Sequence, residues 1–202
     1  MQRLVEDDLV KRLGFKRHIV RQVLNELCRN GLLEHVRNKG MSVRLVSPEE
    51  VELIYEMREL LEIRAVERLP LPAAPILIET LVSLQHEHDD AVRREDLRRV
   101  HRSNRAFHQT LFGACGNPYL VAAIERAGRA AQAIRYHALI DPVLLESQRQ
   151  QHWEMIAALK VGDRDSLVQL HRLHLLPSKN AYLNSHAIKH RVGLMAASLS
   201  DH

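Results

Sequence analysis

Leu4-Val5-Glu6-Asp7-Asp8-Leu9-Val10-Lys11-Arg12-Leu13-Gly14-Phe15 leads directly into Lys16-Arg17-His18-Ile19-Val20-Arg21-Gln22-Val23-Leu24-Asn25-Glu26-Leu27. Apolar residues at 5, 9, 10 and 13 recur at helical spacing, and Gly14 supplies the conformation a helix C-terminus needs. A second helix is predicted over 16–30, with Ile19, Val20, Val23, Leu24 and Leu27 on its buried side and Gly31 at its end. Leu32–Val36 and Ser42–Val46 alternate on either side of Arg37-Asn38-Lys39-Gly40, which predicts a short β-hairpin over 32–46. Two short helices about a glycine turn, followed by a hairpin, read as a helix-turn-helix with a wing.

Working outward, the chain of 202 residues has room for one large domain or two modest ones. Its 46% apolar content can build a core, and 4% aromatics with few glycines and prolines favour helices over a β-sandwich. Two cysteines, Cys28 and Cys115, exclude a disulfide scaffold and a Cys-based zinc finger. No apolar run approaches the roughly 20 residues that span a bilayer, and no signal peptide opens the chain, so a cytoplasmic location is expected. Charge is uneven. Residues 1–45 carry ten Lys/Arg against five Asp/Glu, and the remainder sums to −1 of the overall +4. A basic head on a near-neutral body suits phosphate neutralisation on nucleic acid, although a solvated basic surface has the same balance.

Within this head the second helix would enter the major groove, N-terminal side chains first. Lys16, Arg17 and His18 occupy that end, and Arg21 lies one turn further along the same face. Arginine reads guanine through O6 and N7. Lys39 and Gly40, at the hairpin tip, would approach a phosphate or the minor groove. The bland alternative leaves Arg17 and Arg21 as surface charges.

The stretch Leu4-x-Glu6-x-x-Leu9-x-x-x-Leu13-Gly14-Phe15-x-Arg17-x-x-Val20-Arg21-x-x-Leu24-x-x-Leu27-x-x-x-Gly31-Leu32 resembles the DNA-binding domain of the GntR family of bacterial regulators, with Asn38-Lys39-Gly40 as its wing tip. The family's Ser-Arg-Thr-Pro-Val-Arg-Glu core reads Lys16-Arg17-His18-Ile19-Val20-Arg21-Gln22, and Asp7 stands where a basic residue often meets phosphate. The helix that precedes the Leu4 position in the family is expected to be missing, which makes the winged domain partial.

Ser47-Pro48-Glu49-Glu50 is a helix start, with Ser at the N-cap, Pro at the first position and Glu at the third. That helix is predicted to about residue 68, with Val51, Ile54, Met57, Leu61 and Ala65 along one side. Leu69-Pro70-Leu71-Pro72 breaks it, and further helices are predicted over 73–91, 94–115, 117–138, 142–160 and 163–185. Pro177 should kink the last, and no clear stripe follows residue 186. The expected fold class is mainly α: a small, partial winged helix-turn-helix over 1–46, then an antiparallel all-helical bundle over 47–202 for effector binding and dimerisation.

Histidine is over-represented, with 13 in the chain. Asn104 and His108 are four apart on one predicted helix, His152 lies on a second and His174 on a third. Three imidazoles and an amide oxygen would suit a divalent ion such as zinc or nickel, while any single histidine is more often a surface or hydrogen-bonded group. The other histidines have no assigned role, His18 apart. Arg58 and Arg135 are candidates to clamp an anionic effector in a bidentate fork; for either residue a salt bridge to Glu62 or another acid is the competing reading.

This region resembles the FCD effector domain of one large GntR subfamily. Asn104-x-x-Phe107-His108-x-x-Leu111, Gly116-Asn117-Pro118-Tyr119-Leu120, Gln151-His152-x-x-Met155-Ile156-x-Ala158-Leu159, Gly162-Asp163 and Tyr55-Glu56-Met57-Arg58-x-x-Leu61-Glu62 carry the likeness. The resemblance implies a metal held by an Asp and three His, which fall on Asn104, His108, His152 and His174, with one negative charge lost at Asn104. His171 lies on a neighbouring face and is less suited. It further implies a homodimeric regulator, expected to be a repressor, that reads a double-stranded operator and responds to a small carboxylate. The alternatives are a helical metal-dependent hydrolase, for which no general base or nucleophile is placed, and a ligand sensor with impaired DNA binding.

Overall fold

The computed structural model describes residues 3–36, 40–138 and 141–200, with side chains described up to residue 136 and again over 141–187. At its N-terminal end, α1 (Glu6–Leu13) and α2 (Arg17–Arg29) precede a hairpin of β2 (Leu33–Val36) and β3 (Gly40–Val43). Glu6, Asp7 and Asp8 fill the first turn of α1, and Lys11 and Arg12 its last, the arrangement the helix dipole favours. Gly14, at φ 68°, closes it by donating its N–H to the Val10 carbonyl.

Three expectations for this head are corrected. Leu4 is not helical: Arg3–Leu4 form a short strand, β1, pairing antiparallel with β3 through Leu4–Met41, so the sheet order is β1-β3-β2. β3 ends at Val43 rather than Val46, because Val46 leaves the sheet to donate its N–H to the Tyr182 hydroxyl at 2.9 Å and accept from it at 3.1 Å. Val20, Leu24 and Leu33 form the head's small core with Leu9, Val10, Leu27 and Met41 packed on it. Ile19 and Val23 remain 39% and 49% exposed, contrary to expectation, since the buried stripe of α2 runs through 20, 24 and 27. Lys39 lies outside the described residues.

The body comprises α3 (Pro48–Glu67), α4 (Pro75–Arg93), α5 (Leu97–Gly113), α6 (Pro118–Ala130), α7 (Gln132–Ala138), α8 (Pro142–Val161) and α9 (Arg164–Ser200). Ser47 Oγ accepts the Glu50 N–H at 3.2 Å, the cap read from sequence. Asn117 and Asp141 cap α6 and α8 in the same manner, each followed by Pro. Among the described residues of the body seven helices replace the six expected, because 117–138 divides at Ala131. That turn buries Ala131 and Ile134 completely against Val51 and Ile54 of α3 and Leu175 and Tyr182 of α9. The last helix continues through Pro177 without interruption.

Phe107, Leu111, Met155, Ile156, Leu159 and Leu81 fill the main core between α4, α5 and α8. On α3 the buried face carries Val51, Tyr55, Arg58, Glu62 and Ala65, while Met57 is 41% exposed, contrary to expectation. Two ionised groups thus take positions that an apolar stripe would have filled. Head and body meet at the C-terminus of α6. A Cβ on Gly31, itself at φ 73°, would lie 2.3 Å from the Arg129 carbonyl oxygen, so this approach requires glycine. Beside it Arg44 Nη1 donates at 3.3 Å to the Ala130 carbonyl, one of the end carbonyls a helix leaves unpaired.

Candidate metal centre and effector cavity

The i, i+4 spacing on α5 sends Asn104 and His108 inward from one face, α8 brings His152 and α9 brings His174. Ligand nitrogens of the three histidines all lie within 4.8 Å of one another. His108 Nε2 and His174 Nε2 are 3.1 Å apart, close to the roughly 3.3 Å between two imidazole nitrogens sharing one tetrahedral ion at about 2.0–2.1 Å. Phe107 stacks on the His152 ring at 4.2 Å between centroids and fixes its plane.

Two glutamines set the tautomers. His152 donates its Nδ1–H to Gln85 Oε1 at 2.7 Å, and His174 donates its Nδ1–H to Gln151 Oε1 at 2.8 Å. Gln85 is itself oriented, its Nε2 donating to Asp89 Oδ1 at 2.8 Å. Both histidines therefore turn an Nε2 lone pair toward the shared centre, and His152 Nε2 is buried there with no hydrogen-bond partner. An outer acceptor holding Nδ1–H while Nε2 stays free is the usual second layer of a metal-binding histidine. Burial, followed by the neighbouring imidazoles, pushes the His108 and His152 rings well below the ordinary histidine range; burial and then His171 do the same to His174. All three are neutral at pH 7, the form that ligates. The donor set fits a divalent ion.

Two guanidinium groups stand against this centre. A small cavity of about 30 Å³ is lined by Asn104, His108, His174, Arg58 and Arg135 among others, so five of the residues singled out in the sequence converge there. Arg58 forms the competing salt bridge, Nε to Glu62 Oε1 at 2.8 Å, yet its Nη1 is buried without a partner. Burial would raise the Glu62 carboxyl, but Arg58 and His171 outweigh it and hold it at about 2. His171 is thereby committed, its Nε2 lying 2.9 Å from Glu62 Oε2. Burial, then the charge of Arg58, lowers Arg135 to about 10, and it remains cationic at neutral pH. Among the described residues no hydrogen bond or ion pair engages its guanidinium. A second cavity of about 660 Å³ opens from Arg58, His108 and Arg135 and reaches the head.

In the head, Lys16, Arg17, His18 and Arg21 are all exposed at the start of α2, and Gly40 is exposed at the start of β3. Arg21 is bound by Glu6 through two hydrogen bonds of 2.9 and 3.1 Å, and Arg17 pairs with Asp7 at 2.5 Å. Sequence reasoning missed Gln85, Gln151 and the Glu62–His171 pair. Gln151 had a visible signal, adjoining His152 in the quoted motif, whereas Gln85 had none.

The family model of the FCD domain matches residues 52–176. The chain belongs to the FCD family. An HTH-type transcriptional regulator of Agrobacterium vitis, from the TAR-I ttuE-ttuC' intergenic region, is 30% identical over 109 residues, 52% of this chain and 64% of its own length. This FCD chain thus matches less than two thirds of that relative. The HTH-type transcriptional repressor GlaR of Escherichia coli K12 is 26% identical over 170 residues, 78% of this chain and 75% of its own. Escherichia coli McbR/YncC shares the fold, with a TM-score of 0.72 at 21% identity over 92% of this chain and 88% of its own. The Agrobacterium vitis and K12 relatives are both HTH-type transcriptional regulators rather than enzymes, which sets the hydrolase alternative aside for this FCD chain. No helix among the described residues is long and apolar enough to cross a membrane.

Proposed function

We propose that this chain is a cytoplasmic, homodimeric, DNA-binding repressor whose helical domain holds a divalent metal, zinc or nickel, and responds to a small organic acid. The observation that carries the reading is the juxtaposition of the His108–His152–His174 nitrogens with Arg58 and Arg135 on one cavity. Asn104 would complete the ligand set through its amide oxygen. A divalent ion held there would act as a Lewis acid toward a carboxylate oxygen. Two guanidiniums beside three neutral imidazoles leave Glu62 as the one buried carboxylate of the group, so an anion is the ligand the electrostatics favour.

On the DNA side, Arg17 and Arg21 would read base edges from the start of α2, with Lys16 and His18 beside them and Lys39 and Gly40 at the wing tip. Effector binding would alter operator affinity to the extent that it favours one placement of the heads. The test is a titration of the full chain against its upstream intergenic DNA and a scrambled duplex at rising salt, with zinc or chelator and with and without short carboxylates. Specific, salt-sensitive binding that changes with the acid supports the reading. Equal binding to both duplexes, with no response to metal or acid, refutes it.

A further inference from the structure

The large cavity belongs to two parts of the molecule at once. Toward His108, Arg58 and Arg135 its lining is polar; where α6 and the head helix α2 border it, Val121, Ile124, Val23 and Leu27 supply apolar surface interspersed with Glu26, Asn30 and Arg129. Val23 is 49% exposed, so its apolar surface is unspent, whereas Ile124 is only 6% exposed, being part of the main core. Five arginines against three glutamates line the whole, and two of those glutamates are engaged, Glu62 by Arg58 and Glu125 by the Gln109 amide at 2.8 Å. At about 660 Å³ the space equals that of roughly 20 waters. A two- or three-carbon acid at the polar end would leave most of it as water against apolar walls.

We infer that the cavity takes an organic anion with an apolar extension, whose carboxylate lies toward Arg58 and Arg135 and whose extension lies between α6 and the head helix α2. This rests on the effector reading above and adds a subsite made partly by the DNA-binding head. The wall that α2 supplies exists only while the head is docked, and docking depends on the Gly31–Arg129 approach and the Arg44 bond to Ala130. A ligand that touches α2 therefore favours the docked placement, and by reciprocity the docked head binds the longer ligand better.

Calorimetric titration of the full chain, supplied with zinc, against acetate, butyrate, hexanoate, octanoate and decanoate tests this. Affinity is expected to rise by up to about fourfold per added methylene from butyrate to octanoate. In Val23→Asp, a carboxylate faces the extension and the loss grows with chain length, reaching about tenfold or more for octanoate. Arg44→Met loosens docking without lining the cavity and should cost octanoate more affinity than acetate. Circular dichroism confirms that each variant folds. Binding of all five acids with equal affinity, or a chain-length dependence that persists undiminished in both variants, overturns the subsite and leaves the effector reading standing. Failure of every acid to bind overturns the effector reading itself, and the subsite with it.

Discussion

At the scale of single residues, the candidate site depends on groups that do not themselves touch the shared centre. Gln85 holds the His152 Nδ1–H at 2.7 Å and so determines which ring nitrogen is free. Gln85→Leu should lower zinc affinity by about 10- to 100-fold, the usual cost of removing an outer acceptor, while the circular dichroism stays native. Competition against a chromophoric chelator measures it, and unchanged affinity would show that His152 needs no such orientation. Asn104 allows a sharper test. Asn104→Asp adds one ligand charge, so zinc should bind about tenfold tighter if this side chain reaches the ion; no gain would remove it from the ligand set. Asn104 and His108 were legible because i, i+4 spacing fixes a shared face. Gln85 was not, because a glutamine on a helix carries no sign of the helix it will meet.

Among the elements, α2 shows how far local pattern reaches. Val20, Leu24 and Leu27 and the Gly14 and Gly31 stops were readable, though the stripe was drawn too wide by Ile19 and Val23, whereas the two-residue β1 is too short for any period and is defined only by its pairing with Met41 and Ser42 of β3. The division of α6 from α7 was likewise invisible, because Ala131 is a good helix former and the turn is imposed by burial of Ile134 against α3 and α9. What the sequence hinted at in Asp7 acquires a mechanism here. Asp7 and Glu6 occupy Arg17 and Arg21, the two side chains proposed to read the operator, and on that proposal each would have to be released to meet DNA. Both ion pairs are exposed and individually weak. Asp7→Asn should raise affinity for any duplex severalfold, and Asp7→Arg should steepen the log–log salt slope by about one. Fluorescence anisotropy between low and moderate salt reads both. An unaltered slope in Asp7→Arg would place this end of α1 away from the phosphates.

For the molecule as a whole, folding and the site share the same histidines, and pH separates their contributions. Burial, ahead of every other cause, lowers His88, His108, His152 and His174. In the unfolded chain the same rings protonate near the ordinary histidine value of about 6.5. Below that value the unfolded state binds more protons, so the metal-free protein loses stability as pH falls, by up to about 1.4 kcal/mol per pH unit for each ring that stays neutral when folded. Glu62 acts in a different window. Its folded value of about 2 lies below the unfolded 4.5, so its contribution is intact above 4.5 and lost only as pH falls from there toward 2. Between pH 7.5 and 5 the slope therefore belongs to the histidines. Metal-free protein should melt about 3 °C lower, or more, for each pH unit below 6.5. Zinc at saturating concentration should raise the melting point by a similar amount wherever the folded rings stay neutral, and by less only at a pH low enough to protonate them, where protons compete for the same nitrogens. A melting point that stays level from pH 7.5 to 5 without metal would mean that these rings are hydrated, and a zinc shift that survives His108→Ala combined with His152→Ala would mean that the ion binds elsewhere than on these imidazoles.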